Sequence, residues 1–382
     1  MNHLKANSPL RGYGELFRVA SICVALSLEV TVNPMVAQLA YSTDAPTTCP
    51  LTVATAAAAN EDHYLAVLDP RQRCVVVFDV NGRPHRVIGR GGEGPGEFRS
   101  AHALGTLGDS LWVSDGQLNR LTFFDWGGRM RGTAPANEGA RTTSTASAAV
   151  VLSLLFDGTA IIQPVVMSSM VPDVLVYLRR SRDTHIEDTV LKQDPRRELL
   201  RVVVAQNGGG LYGQQPLRSG PLFGVSSDGR WFAVLELPKP GVVAVRRVDV
   251  ARGRAEVVRL NYSPAKIPTR VIDSVVTGMV GRMRSRPPLN SRPESELRKA
   301  VREALYVPDY LQPVDKVTVG KDGTVWLGAL PRRGYWTGIR PSGKTVEVSG
   351  PARGTMLEAN ERFIWFVTYD KDDVPAIVRH DR

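Results

Sequence analysis

The side chains of this sequence best equipped for chemistry crowd into one short stretch: Arg90, Glu93, Glu97, Arg99 and His102. Two arginines, two carboxylates and an imidazole offer ion pairing, hydrogen bonding and one group that titrates near neutrality. The same stretch carries Gly89-x-Gly91-x-x-Gly94, the letter pattern of a dinucleotide-binding turn. That use of glycine needs a helix N-terminus directly afterwards, to hold the pyrophosphate. Pro95-Gly96 follows instead, so the segment reads as a close turn carrying the chain from one strand to the next. The remaining histidines are His3, His63, His85, His185 and His380, and no two of the six lie three or four apart on a predicted helix. A local zinc site needs such spacing. There is no Gly-x-Ser-x-Gly elbow and no Cys-x-x-Cys pair. These patterns assign no catalytic residue, no metal ligand and no cofactor; the five residues named first stand as candidate ligand-binding residues.

The elements that position them are repeated. Asp69-Pro-Arg-Gln-Arg-Cys-Val-Val-Val-Phe-Asp79 aligns without gaps on Asp115-Gly-Gln-Leu-Asn-Arg-Leu-Thr-Phe-Phe-Asp125, an offset of 46 residues. In each copy a strand ends at Asp, a polar turn follows, a second strand ends in Phe-Asp, and a Gly-containing turn opens a third. Short strands joined by Asp, Asn and Gly turns read as consecutive antiparallel hairpins. Looser copies begin at Phe156-Asp-Gly, Ser227-Asp-Gly, Lys321-Asp-Gly and Ala359-Asn-Glu, which makes six units. A period in the forties with four strands per unit is that of propeller blades. The predicted fold class is all-β, a six-bladed β-propeller with an α-helical insertion between blades four and five, and the Gly89–Gly94 crossing lies where such crossings border the central channel.

Two features modify the ring. The last unit lacks a fourth strand, and Leu51-Thr-Val-Ala54 lies spare upstream of the first. A radial array leaves an open seam unless one blade takes strands from both chain ends, so Pro50–Ala54 is expected to pair beside Ile377–His380. Between the fourth and fifth units, residues 263–313 show no strand alternation. Ile267, Val271, Val275, Met279 and Met283 recur every four residues, as do Leu297, Val301 and Leu305 after Ser291-Arg-Pro-Glu294, a capping-box sequence. This segment is expected to be a helical insertion that covers adjacent apolar strands.

Composition bounds the rest. The chain of 382 residues is 43% hydrophobic and 23% charged, which excludes wholesale disorder. Its longest apolar run, Val19–Leu28, is too short to span a hydrocarbon core, so no transmembrane segment is predicted. Lys5, Arg11 and Arg18 precede that run and Ala37 and Ala40 follow, so residues 1–40 read as a signal peptide and 47–382 as the propeller. This points to a periplasmic or secreted protein. With the leader gone, Cys49 and Cys74 remain, either as two thiols or as a disulfide adding roughly 3 kcal/mol. The net charge is +10, and residues 241–313 hold 14 Lys/Arg against 7 Asp/Glu. That basic excess could meet an anionic surface, but it lacks the like-charge blocks and interleaved aromatics of a nucleic-acid binder, so no sequence-specific nucleic acid is expected.

Val87-Ile-Gly-Arg-Gly-Gly-Glu-Gly-Pro-Gly-Glu-Phe98, leading into Gly108-Asp-Ser-Leu-Trp-Val113, resembles the secreted bacterial six-bladed propellers related to NHL-repeat proteins. Asp115-x-x-x-Asn119-Arg120-x-x-x-Phe124-Asp125 is similar to the NHL repeat itself. The close match covers residues 60–130. The third unit departs from it in lacking Arg-x-x-x-Phe-Asp, as does the helical insertion. The resemblance implies an envelope propeller without assigned activity. The function expected is non-catalytic recognition of a protein, peptide or glycan. The alternative is a lactonase-like hydrolase or lyase with its site at the channel mouth.

Overall fold

A computed structural model describes residues 38–41, 49–136, 148–165, 174–181, 187–204, 210–217, 220–329 and 334–382. They form a six-bladed β-propeller of four-stranded antiparallel sheets. Blade 1 comprises Ala56–Ala59, Leu65–Asp69, Cys74–Phe78 and Pro84–Ile88; blade 2 comprises Ala101–Leu107, Ser110–Asp115, Arg120–Phe124 and Met130–Pro135. Blade 3 runs Ala148–Leu154, Ala160–Val165, Leu175–Arg180 and Glu187–Gln193. Blade 4 follows with Leu222–Val225, Trp231–Lys239, Val242–Asp249 and Arg254–Asn261, and blade 5 with Val314–Val319, Val325–Ala329, Tyr335–Ile339 and Thr345–Ser349. In blade 6, Thr355–Ala359, Phe363–Tyr369 and Pro375–Asp381 are completed by Gln38–Tyr41. The first strand of each blade lines the axis. The weak third repeat therefore still builds a full blade.

Apolar burial explains why the middle strands read as unbroken hydrophobic runs. Every residue of Leu65–Asp69 and Cys74–Phe78 is buried. Leu65, Val67, Val76 and Phe78 pack against Phe363, Trp365 and Ile377 of blade 6. Their alternates Ala66, Leu68, Val75 and Val77 pack against Leu104, Leu111, Val113 and Phe124 of blade 2. Both faces of a blade are thus interior, because successive side chains of a strand point to opposite faces. Similar clusters join blades 2 to 3, 3 to 4, 4 to 5 and 5 to 6.

The repeated Asp ties blades 1 and 2 to their incoming crossovers. Asp69 Oδ1 accepts the N–H groups of Arg71 and Gln72 in its own turn, while Oδ2 accepts those of Thr52 and Val53 in the incoming chain. Asp115 repeats the pattern with Gln117 and Leu118, and with Arg99 and Ser100. A buried carboxylate that accepts four backbone N–H groups locks two loops at once.

Ring closure differs from expectation in its donor. The seam does close on Ile377–His380, but the partner is Gln38–Tyr41, in register Gln38↔His380 to Tyr41↔Ile377. Pro50–Ala54 is not that strand, because Asp69 engages the N–H groups a ladder would need and a Cys49–Cys74 disulfide holds the segment to blade 1. Tyr41 is buried, and its hydroxyl accepts the indole N–H of Trp365 at 2.8 Å. The first described strand of the ring, Gln38–Tyr41, thus begins inside the residues 1–40 expected as a leader.

The insertion is helical, with Thr269–Arg284, a 3-10 turn Leu289–Ser291 and Glu294–Ala304. Its expected capping box does not form: Pro293 precedes the helix, and Ser291 Oγ donates instead to Pro288 O. What the helices cover is a hairpin absent from the sequence reading, Leu199–Val203 paired with Gly210–Gln214, in the crossover between blades 3 and 4. Val276, Met279, Met283, Leu297 and Val301 bury Leu200, Val202 and Leu211 in a cluster separate from those between blades. The Gln215 side chain links the two pieces, donating to Ala304 O and accepting from Tyr306 N.

A chain starting at Thr47 loses four ladder residues and the Trp365 partner, several kcal/mol, and should melt lower than one starting at Gln38 by on the order of 10 °C. Equal melting of the two would contradict this closure.

Candidate functional site

The turn pattern around Gly89–Gly94 folds into a closed loop on the face where each blade hands the chain to the next. Gly89 has φ 77, and a Cβ there would lie 2.1 Å from the Phe98 ring. Arg90 pairs with Glu97 at 2.8 Å, and Arg99 pairs with Glu93 at 3.0 Å. Glu97 also accepts the Gly94 N–H, and this bond with the Arg90 guanidinium holds its carboxyl below the usual range. Arg120 of blade 2 donates to the carbonyls of Glu93, Gly94 and Glu97, pinning the loop. Four of the five candidates are thus brought together in two ion pairs. Only His102 reaches the axis.

His102 stands in a central cavity of about 320 Å³ lined by the inner strands of all six blades. The inner strand of blade 2 bulges between Ala101 and Ala103, leaving His102 without a cross-strand partner. Blades 3 and 6 bulge likewise, at Leu152 and Leu357, and both residues line the cavity. An unpaired bulge residue is re-aimed relative to its strand. The His102 ring lies with Nε2 2.9 Å from Val151 O, which bridges it to blade 3.

The cavity is blind. All inner strands run away from the crossover face, and at their far ends the turn Ser226–Trp231 of blade 4 crosses the axis. Thr106 of blade 2 donates its N–H to Ser227 O at 2.7 Å, and Phe156 of blade 3 donates to Gly229 O at 3.0 Å. Glycine is required at both approaches. A Cβ at Gly105 would lie 2.5 Å from Ser227 O, and one at Gly229 (φ 67) would lie 2.4 Å from Leu154 O. Lys321 of blade 5 reaches across to Ala59 O of blade 1 at 3.0 Å, closing the same end.

Glu358 of blade 6 lies on this floor, 2% exposed. Its Oε1 accepts the Ala359 N–H at 2.8 Å. The Ser227 hydroxyl stands beside it without a well-aligned hydrogen bond. Burial pushes the carboxyl up to about 8, outweighing the pull of Ser227, the Ala359 amide and Lys321. Sequence reasoning missed Glu358, although a carboxylate within the apolar run Met356-Leu-Glu-Ala359 was a visible anomaly.

Among the described residues, no three of His, Cys, Asp or Glu gather as metal ligands would. No described helix is long and apolar enough to cross a membrane. Much of the basic excess of 241–313 is spent internally. Arg247 is buried against Gly323 O and Ile339 O, Arg284 and Arg298 share Glu294, and Arg302 pairs with Asp273.

No family model matches the chain, and no curated protein matches it. Among solved structures, it is similar to a member of the DUF4221 family from Bacteroides vulgatus, with 9% identity, 91% of this chain and 96% of that chain covered, and a TM-score of 0.50. A candidate exported protein from Bacteroides fragilis follows at 11% identity, 92% and 96% coverage and a TM-score of 0.46. A catalytically inactive virginiamycin B lyase from Staphylococcus aureus follows at 9% identity, 90% and 99% coverage and 0.41. At such identities the likeness concerns the fold alone.

Glu358 makes stability depend on pH. Its carboxyl binds its proton more tightly folded (about 8) than unfolded (4.5). The stabilisation is full below pH 4.5 and is lost as pH rises through 8. At about 1.4 kcal/mol per pH unit, this amounts to several kcal/mol. Glu358→Gln should therefore match the parent near pH 5 and melt higher near pH 9; parallel melting curves across that range would refute the assignment.

Proposed function

We propose that this chain is an exported, non-catalytic recognition propeller related to NHL-repeat proteins, which takes a small ligand, or the tip of a peptide or glycan, into its blind central cavity. The observation that carries the reading is the cavity itself, lined by the inner strands of all six blades and stopped at the far end by the Ser226–Trp231 turn. Ligand sites are typically concave, mostly apolar and fitted with a few placed polar groups. Ala57, Leu104, Phe223, Val225 and Val319 supply apolar wall; His102, Lys316, Ser153 and Thr318 supply the polar groups.

Binding is favoured over a lactonase-like or lyase reaction because the ring nitrogens of His102 face backbone carbonyls, Nε2 at Val151 O and Nδ1 at Ser100 O. Export is supported by the basic and apolar N-terminal pattern and by the Cys49–Cys74 bond, which suits an oxidising compartment. Leader removal would then have to fall before Gln38, since Gln38–Tyr41 completes blade 6.

The test is extraction of bound small molecules from envelope extract by the purified protein, read by mass spectrometry, alongside Leu152→Trp, which fills the cavity. The reading expects a compound retained unaltered by the parent and lost from the variant, with both proteins melting within a few degrees of each other. Retention by both proteins, or chemical conversion of the compound by the parent, would defeat it.

A further inference from the structure

We propose that Glu358 and Ser227 form a subsite for the terminal hydrogen-bond-accepting oxygen of a slender, uncharged, apolar ligand held end-on in the central cavity. The inference rests on the cavity being the binding site. Glu358 is the most deeply placed ionisable group there. It extends from blade 6 toward Ser227 of blade 4, and since these blades are not neighbours, its side chain must point inward toward the axis. Between mouth and floor the wall is largely Ala57, Leu104, Val225, Val319 and Met356, with the uncharged hydroxyls of Ser153 and Thr318 among them.

Two polar groups end this apolar shaft with capacity unspent. The Ser227 Oγ is buried beside the Glu358 carboxyl without a well-aligned hydrogen bond, and the carboxyl has one aligned backbone donor, at Oε1. The carboxyl, neutral at pH 7, carries an O–H. The Ala359 N–H occupies Oε1, so that proton belongs on Oε2 and needs an acceptor. A carbonyl or ether oxygen satisfies it. An anion would enter a largely apolar shaft whose floor cation, Lys321, is already engaged by Ala59 O, and an ammonium would shed its hydration and also have to ionise the acid. A buried donor left unsatisfied costs more than a mean hydrogen bond gains, so the floor should discriminate against ligands lacking the oxygen.

The test uses three probes of one carbon skeleton: benzylacetone, butylbenzene and the amine corresponding to benzylacetone. Dissociation constants are measured by ligand-observed NMR with the full chain. Near pH 6 the parent should bind benzylacetone about tenfold tighter than butylbenzene. Near pH 9.5 that preference should vanish as Glu358 ionises. Glu358→Gln, which keeps a donor, should retain the preference at both pH values. This control separates Glu358 from His102 and Lys316 at the mouth and from Lys321 and Asp228 near the floor. Glu358→Leu should bind both probes alike. Equal binding of ketone and hydrocarbon by the parent near pH 6, tighter binding of the amine, or an undiminished preference in Glu358→Leu would overturn the subsite. In those cases butylbenzene binding that Leu152→Trp abolishes would leave the cavity reading standing. Failure of all three probes to bind the parent would refute both.

Discussion

One hydrogen bond, from Thr106 N of blade 2 to Ser227 O of blade 4, decides what kind of molecule this is. Ser227 meets blade 2 through this bond and also stands beside Glu358 of blade 6, and contact with both alternate blades puts the turn at the centre of the ring, where it closes the far end of the cavity. A tunnel would be filled with water exchanging at both ends. A well desolvates whatever lies at its floor, and the displaced pKa of Glu358 follows from that closure. The bond itself depends on Gly105 and Gly229, where any Cβ would collide with the opposing backbone.

The rest of the ring makes that closure possible. Each blade buries both faces, so alternate residues of one strand belong to two different cores, and a blade cannot shift without disturbing two interfaces. Asp69 and Asp115 fix crossovers to turns, and the N-terminal strand prevents blade 6 from presenting an open edge. An exposed ladder edge is a template for association, and pairing it within the chain removes that liability. The helices and the hairpin form a second small core on the crossover face, leaving the cavity lining to the inner strands.

The blades were legible because the 46-residue offset preserves groups with a fixed physical task, above all the Asp at the end of the second strand. The register of closure was legible on the Ile377–His380 side, where a blade lacks a strand. It was not legible on the N-terminal side, because Gln38-Leu-Ala-Tyr41 sits in a stretch that also reads as the end of an export signal. The hairpin Leu199–Gln214 escaped notice since its strands fit no repeat unit. Of the site, His102 was visible as the histidine beginning an inner strand, while the charges around it proved to be paired with one another. The floor was hidden because Ser227-Asp-Gly229 looks like every other turn between strands; that it crosses the axis is a property of packing, set by which residues elsewhere are glycine.

Amide hydrogen exchange at Thr106 probes the central claim directly. The inner edge of a propeller strand faces the channel, and its free amides exchange with channel water. A closed floor predicts that the Thr106 N–H exchanges as slowly as the most protected amides of the blade cores. Exchange at the rate of other channel-facing amides would mean that the floor is open and the well does not exist.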